Sequence, residues 1–239
     1  MILVTGDGIL AKELIKHSTK DLSIVSLSKQ EMDITNEYQV SNIIKKYMMM
    51  PAFPKYLIHT AALTKPMSVN DKNPITSINT NIIGTANIAK ICYKYDIKFI
   101  YISTDFVYKE KQELVNEDSG LKPKNKYGWS KLGGECVSQI IPNSLILRCA
   151  LCDIPFRHKM AFSNIYRTPI IHKEAAKIIL KLKDEEGVIN IGGEKKSIYE
   201  FVKNYQEIKP YHYPKDEKNT NSQVMSIKLN TQKMKKCIV

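Results

Sequence analysis

Tyr127 and Lys131 stand four residues apart in Tyr-Gly-Trp-Ser-Lys, a spacing that puts both on one face of a helix. An ammonium beside a phenol favours the phenolate and lowers its pKa from about 10 toward working pH, which makes Tyr127 a candidate general acid. Upstream, the apolar run of residues 98–103 ends in Ser103-Thr104-Asp105-Phe106, so the Thr104 hydroxyl can reach the same substrate oxygen. At the amino-terminal end, Gly6-Asp7-Gly8-Ile9-Leu10-Ala11 spells G-x-G-x-x-A. Its first glycine permits a tight turn, its second lets the backbone approach a pyrophosphate, and the small alanine lets helix and strand pack closely. The following helix then points free amides at the phosphates. At the end of the next apolar run, where a carboxylate would select a ribose 2′-hydroxyl, the sequence offers Ser28 and Lys29. That favours NADPH, with NADH as the alternative.

These residues need a scaffold that brings strand ends together. Short apolar runs at 1–5, 23–27, 56–60, 98–103, 144–148 and 188–191 alternate with helical spacing at 11–16, 37–47, 75–95 and 128–140. The pattern predicts an α/β fold, a doubly wound parallel sheet with its strands covered on both faces. Right-handed crossovers then open all carboxyl ends on one edge, where ligands bind. In the third helix Ile78, Ile82, Ile83, Ala86 and Ala89 fall close to one face, which periodicity alone assigns neither to the core nor to a pairing surface. Polar stretches at 108–126 and 209–224 interrupt the alternation and read as lids, binding loops or disorder.

Composition narrows the class. A chain of 239 residues, 43% hydrophobic and 25% charged, buries one substantial core. The net charge of +12 raises nucleic acid as a partner, but the lysines are scattered, and of 36 basic residues only Arg148, Arg157 and Arg167 are arginine. No dense basic stripe is present, so nucleic acid is set aside in favour of a lysine-coated surface that suits small anionic ligands. No apolar run approaches the roughly 18 residues that span a bilayer. The amino terminus carries no basic segment before its first strand, and the five cysteines are unevenly spaced. Both features lead to the expectation of a cytoplasmic protein with free thiols. Cys149-Ala-Leu-Cys152 reads as buried thiols, and no metal site is expected.

In combination the motifs resemble the extended short-chain dehydrogenase/reductases that act on nucleotide sugars, and most closely the dTDP-4-dehydrorhamnose reductase group. The carriers are Ile2-Leu3-Val4-Thr5-Gly6, Met32-Asp33-Ile34-Thr35, His59-Thr60-Ala61-Ala62-Leu63-Thr64, Asn79-Thr80-Asn81, the Ser103-Thr104-Asp105 strand end, Tyr127 to Glu135, and Leu145 to Arg148. The resemblance implies that Tyr127 donates a proton, Lys131 binds the nicotinamide ribose and tunes Tyr127, and Thr104 polarises the carbonyl. It also implies that Gly6, Gly8, Ile9 and Leu10 meet the pyrophosphate, and that Asp33 and Ile34 flank the adenine. Ala61, Ala62 and Thr64 would line the pyrophosphate and nicotinamide, and Asn81 would hold the active-site backbone. Thr104, Asp105, Phe106 and Phe156 are candidate substrate contacts, with Lys65, Met67, Arg157, His158 and Lys159 in nearby loops. His172 reads as structural. The first turn is one residue shorter than is usual in the family, and Phe106 stands where dehydratases carry Glu, which argues against elimination of water.

The expected activity is NADPH-dependent reduction of the 4-keto group of a nucleotide-linked deoxysugar. The alternatives are a 4-epimerase with tightly held NAD and a non-catalytic dinucleotide-binding relative. Residues 1–148 and 172–193 would bind the dinucleotide, and 149–171 with 194–239 would form a small substrate cap. Pairing through the helices at 75–95 and 128–140 leaves a homodimer open.

Overall fold

The computed structural model describes residues 1–64, 72–109, 114–214 and 226–238. Six strands form one parallel sheet: β1 (Ile2–Thr5), β2 (Ile24–Leu27), β3 (Tyr56–His59), β4 (Lys98–Thr104), β5 (Leu145–Cys149) and β6 (Gly187–Ile191). Their order is β6-β5-β4-β3-β1-β2, so the chain starts near one edge and reverses direction across the sheet at β1 and β3. All pairings are parallel, which places Thr5, His59, Thr104 and Cys149 along the same carboxyl edge.

Alternation along each strand sends side chains to opposite faces. Val4, Ile58, Ile100 and Leu147 pack on one side with Leu10 and Leu14 of α1 (Ile9–Ile15) and Ala175, Ala176 and Ile179 of a later helix, His172–Lys181. Leu3, Leu57, Phe99, Tyr101 and Ile146 pack on the other with α2 (Glu37–Met48) and α3 (Gly84–Lys94). Helix α4 (Lys126–Ile140) lies on that second side too, through Val137; its N-cap Asn125 accepts a hydrogen bond from the Gly128 amide. The helix His172–Lys181 is α5.

The expected helix over 75–95 is broken into three pieces. A short turn, Pro74–Ser77, leads into a π-helical segment, Ile78–Ile83, and only then into α3. The wider turns of the π segment rotate the chain, so Ile78 and Ile83 are 41% and 45% exposed while Asn81, Thr85, Asn87 and Ile88 are buried. Of the apolar face read from the spacing, Ala89 is buried, Ile82 and Ala86 are half-buried, and Ile78 and Ile83 face outward. Gly84 explains the close approach at the junction, because a Cβ there would stand 2.7 Å from the Ile34 side chain.

The segment after β5 forms short strand pairs instead of long helices. Leu151–Cys152 pairs with Ile170–Ile171, Tyr166–Arg167 with Lys196–Ser197, and Met160–Phe162 with Lys209–Tyr211. Of the polar stretches, residues 110–113 and 215–224 lie outside the described residues; the described part of 108–126 is anchored by bridges from Tyr108 to Leu121 and from Val115 to Leu229. Among the described residues no helix is long and apolar enough to cross a membrane.

Candidate active site

The carboxyl edge of the sheet opens into a cleft of about 570 Å³. One end is lined by Gly6, Gly8, Ile9, Leu10, Lys29, Asp33 and Ile34, and its middle by Thr60 to Thr64. Gly6 has φ +83, and a Cβ on it would lie 3.1 Å from the Ala61 backbone. Only glycine satisfies both conditions, and the two loops meet there. A Cβ on Gly8 would touch nothing, since that position faces open space, and α1 begins there without a side-chain cap on its first amides. Lys29 reaches Asp33 at 3.6 Å, whereas Ser28 turns aside to donate to Glu31 at 2.7 Å and lies outside the lining.

The other end is lined by Thr104, Asp105, Phe106, Tyr127, Cys149, Leu151, Asp153, Arg167 and His172. Thr104 ends β4 and Tyr127 sits in the first turn of α4, so the strand end and helix start meet over the same space. Their relation sets the acidity of the phenol. Burial of the hydroxyl pushes the Tyr127 pKa well up, opposed by a hydrogen bond with Thr104 and by the Arg167 charge, and reinforced by Asp105 and Cys149. The four-residue spacing leads to the expectation that Lys131 lowers the Tyr127 pKa. Here burial dominates instead, because the Lys131 ammonium lies 4.1 Å from the Tyr101 ring centroid, away from the cleft lining. Lys131 is itself pulled down to about 7 by burial, despite the support of Glu135 and Cys149.

Behind the cleft a continuous hydrogen-bonded chain connects the two ends. The Ala61 amide donates to Thr5 Oγ1 at 3.2 Å, and Thr5 Oγ1 lies 2.7 Å from His59 Nδ1. Thr85 Oγ1 donates its proton to the Asn81 carbonyl at 2.8 Å, so it is the acceptor for His59 Nε2 at 3.1 Å. Proton accounting thus fixes a neutral His59 with hydrogen on Nε2, consistent with burial and Lys131 lowering its pKa to about 3. Asn81 then accepts from the Leu63 amide at 2.7 Å and donates to Ser130 Oγ at 2.8 Å, and Ser130 donates to the Tyr127 carbonyl at 2.8 Å. Asn81 is therefore not on the cleft wall but ties the Leu63 loop to the start of α4.

A second buried network supports the strand end. Arg148 binds both Glu135 oxygens, with Nη2 2.9 Å from Oε2, and donates to the Tyr108 hydroxyl at 2.9 Å. Ser103, next to Thr104, donates to Glu135 Oε1.

Phe156 lies outside the cleft lining, in a separate apolar cluster with Phe162, Phe201 and Val202. Arg157, His158 and Lys159 are exposed, and Lys65 and Met67 lie outside the described residues. The spacing arguments passed over Arg167, Asp153 and Cys149 as site residues. Arginine scarcity was the available signal, since all three arginines pair with carboxylates: Arg148 with Glu135, Arg157 with Asp153, and Arg167 with Asp105. His172, read as structural, lines the cleft 3.7 Å from Asp153.

Residues 1–152 match the model of the RmlD substrate binding domain family. The chain belongs to that family. It is 29% identical over 156 residues to a dTDP-4-dehydrorhamnose reductase of Mycolicibacterium smegmatis, a match covering 62% of this chain and 45% of that protein. It is 30% identical over 104 residues to methionine adenosyltransferase 2 subunit beta of Xenopus laevis, covering 44% and 29% of the two chains. These matches span less than half the length of either relative. The fold is similar to that of the dTDP-4-dehydrorhamnose reductase of Bacillus anthracis solved with NADP, with a TM-score of 0.78, 24% identity, and 89% and 84% of the two chains covered.

Proposed function

We propose that this family member reduces the 4-keto group of a nucleotide-linked deoxysugar with NADPH. The observation that carries the reading is Thr104 and Tyr127 converging at one end of a cleft whose other end is built by the Gly6 turn and the Ala61 loop. The donor set suits a dinucleotide: a left-handed glycine turn, uncapped first-turn amides, and Lys29 in place of a ribose-binding carboxylate. When bound, NADPH would supply the hydride. Thr104 then stabilises the developing alkoxide and Tyr127 protonates it, and Lys131 serves the nicotinamide ribose rather than the acidity of the phenol. Asp105 and Phe106 shape the sugar end.

In this reading residues 1–148 and 172–193 serve the dinucleotide, and 149–171 with 194–239 serve the sugar nucleotide. The outward Ile75, Ile78, Ile83, Trp129 and Ile140 support a homodimer. Sedimentation of the protein beside an Ile83→Glu variant tests the pairing.

The functional test is loss of NADPH absorbance with a panel of 4-keto sugar nucleotides. Turnover with at least one, and a Tyr127→Phe variant slowed about 10²–10⁴-fold, is the expected result. Dinucleotide binding with no turnover would move the protein to the non-catalytic class, and co-purified NAD would move it to the epimerases.

A further inference from the structure

Arg167 brings a guanidinium into the cleft from a short strand outside the main sheet. Its Nε donates to Asp105 Oδ2 at 3.0 Å, and its Nη2 donates to the same oxygen. Asp105 is fully buried, and its other oxygen, Oδ1, is left to accept from the Thr104 hydroxyl at 3.3 Å. The guanidinium carbon also lies 4.7 Å from the centroid of the Phe106 ring, which stands edge-on to Tyr127 at 6.2 Å. One side chain thus fixes the rotation of the Asp105 carboxylate and backs the aromatic pair that ends at the phenol.

We propose that Arg167 is a positioning residue for proton transfer, holding Asp105 so that Thr104 and Tyr127 keep the orientation and acidity the reaction needs. The inference rests on the reductase reading, in which the Tyr127 O–H bond breaks as its proton passes to the alkoxide oxygen, the hydride having come from NADPH. The groups facing Tyr127 are Asp105, Cys149, Arg167 and Tyr101, with Thr104 hydrogen-bonded to it and Lys131 one turn along its own helix. Asp105 and Cys149 oppose ionisation of the phenol, and Arg167 favours it. Without Arg167, Asp105 becomes a buried unpaired anion that retains the Thr104 proton and opposes loss of the Tyr127 proton.

Carbon-labelled tyrosine, with the Tyr127 Cζ resonance assigned from Tyr127→Phe, reads this acidity in the dinucleotide-bound protein without any sugar substrate. Arg167→Gln should move the ionisation to higher pH by about one unit, the low end of the effect of a nearby charge. Asp105→Asn should move it lower, and the double variant should lie close to wild type. Arg167→Lys, which keeps the charge but loses the two-pronged contact, should fall between wild type and Arg167→Gln and serves if the latter fails to fold. Melting temperature should fall in Arg167→Gln and recover in the double variant. With a turned-over ketone, Arg167→Gln should lower kcat roughly tenfold with KM little changed and shift the alkaline limb upward. Recovery in melting with an unmoved Tyr127 resonance would reduce the pair to a structural contact and overturn the proposal. A double variant no nearer wild type than Arg167→Gln would overturn it too. Absence of turnover with every ketone refutes the reductase reading separately, while the resonance still decides the role of Arg167.

Discussion

Replacing Arg148 by Met tests whether the network behind Thr104 is held by charge pairing. Arg148 and Glu135 have side chains 2% and 0% exposed, and their closest contact is 2.9 Å. The substitution leaves Glu135 buried with the Ser103 hydroxyl as its remaining hydrogen-bond partner, and strips the Tyr108 hydroxyl and the Glu117 carbonyl of donors at 2.9 and 3.0 Å. Removing one member of a buried ion pair costs about 3–5 kcal/mol, because the partner's desolvation is then uncompensated. For a chain of this size each kcal/mol shifts melting by roughly 2–4 °C, so Arg148→Met should melt about 6–20 °C lower. Glu135→Leu combined with Arg148→Met removes both charges, and the cost of the first change should largely disappear. Calorimetric melting of the four proteins at neutral pH measures the cycle. A double variant melting as low as Arg148→Met would refute the desolvation argument and assign the loss to packing.

Three further outcomes follow from the same geometry. His59 takes a proton near 6.5 when unfolded but only at about 3 in the fold, so acid favours unfolding across that window by about 1.4 kcal/mol per pH unit. His59→Gln should flatten the acid limb of stability, and an unchanged slope in melts from pH 7 to 4 would contradict it. Lys131 is lowered from 10.5 to about 7, so the unfolded chain binds its proton more readily and stability is lost as pH falls through that interval. Lys131→Met should therefore melt higher than wild type at neutral pH while kcat drops about 10²-fold or more; a lower melting point would count against the sign. Gly134→Ala would put a Cβ 2.6 Å from Tyr101 Cζ and 2.9 Å from the Asn81 carbonyl. It should lower both melting temperature and turnover, and retention of both by circular dichroism and assay would show that these neighbours yield.

The parallel sheet was legible because its strands are short continuous apolar runs, and each falls within a residue of its expected bounds, as at 24–27 and 145–149. The cleft was legible for a related reason: parallel connections force the loops after Thr5, His59 and Thr104 onto one edge. What spacing did not reveal was the break in the helix at 75–95, since a helical period of 3.6 assumes an unbroken α-helix. The π segment adds a residue to the turn, buries Asn81 against Leu63 and Ser130, and turns Ile78 and Ile83 outward. Phe156 was misplaced relative to the cleft because the chain after β5 runs in two- and three-residue strands, too short for periodicity to orient a side chain.

The +12 charge acquires a different meaning once its carriers are separated. Lysines dominate the count, and most of those in ion pairs are exposed, as at Lys16–Glu13 and Lys90–Glu37, where solvent leaves such pairs little net energy. The arginines follow another rule. Arg148 and Arg167 are drawn into the protein by Glu135 of α4 and by Asp105 at the sheet edge, and at Glu135 a planar fork satisfies more of a buried oxygen pair than a lysine can. Both carboxylates neighbour Thr104: Asp105 follows it in sequence, and Glu135 holds the Ser103 that precedes it. If arginine was retained at these positions for geometry and not for charge, Arg148→Lys should lose stability even though the net charge is unchanged. A lysine there cannot span both Glu135 oxygens and the Tyr108 hydroxyl at once. A melt of Arg148→Lys indistinguishable from wild type would show that the charge alone suffices.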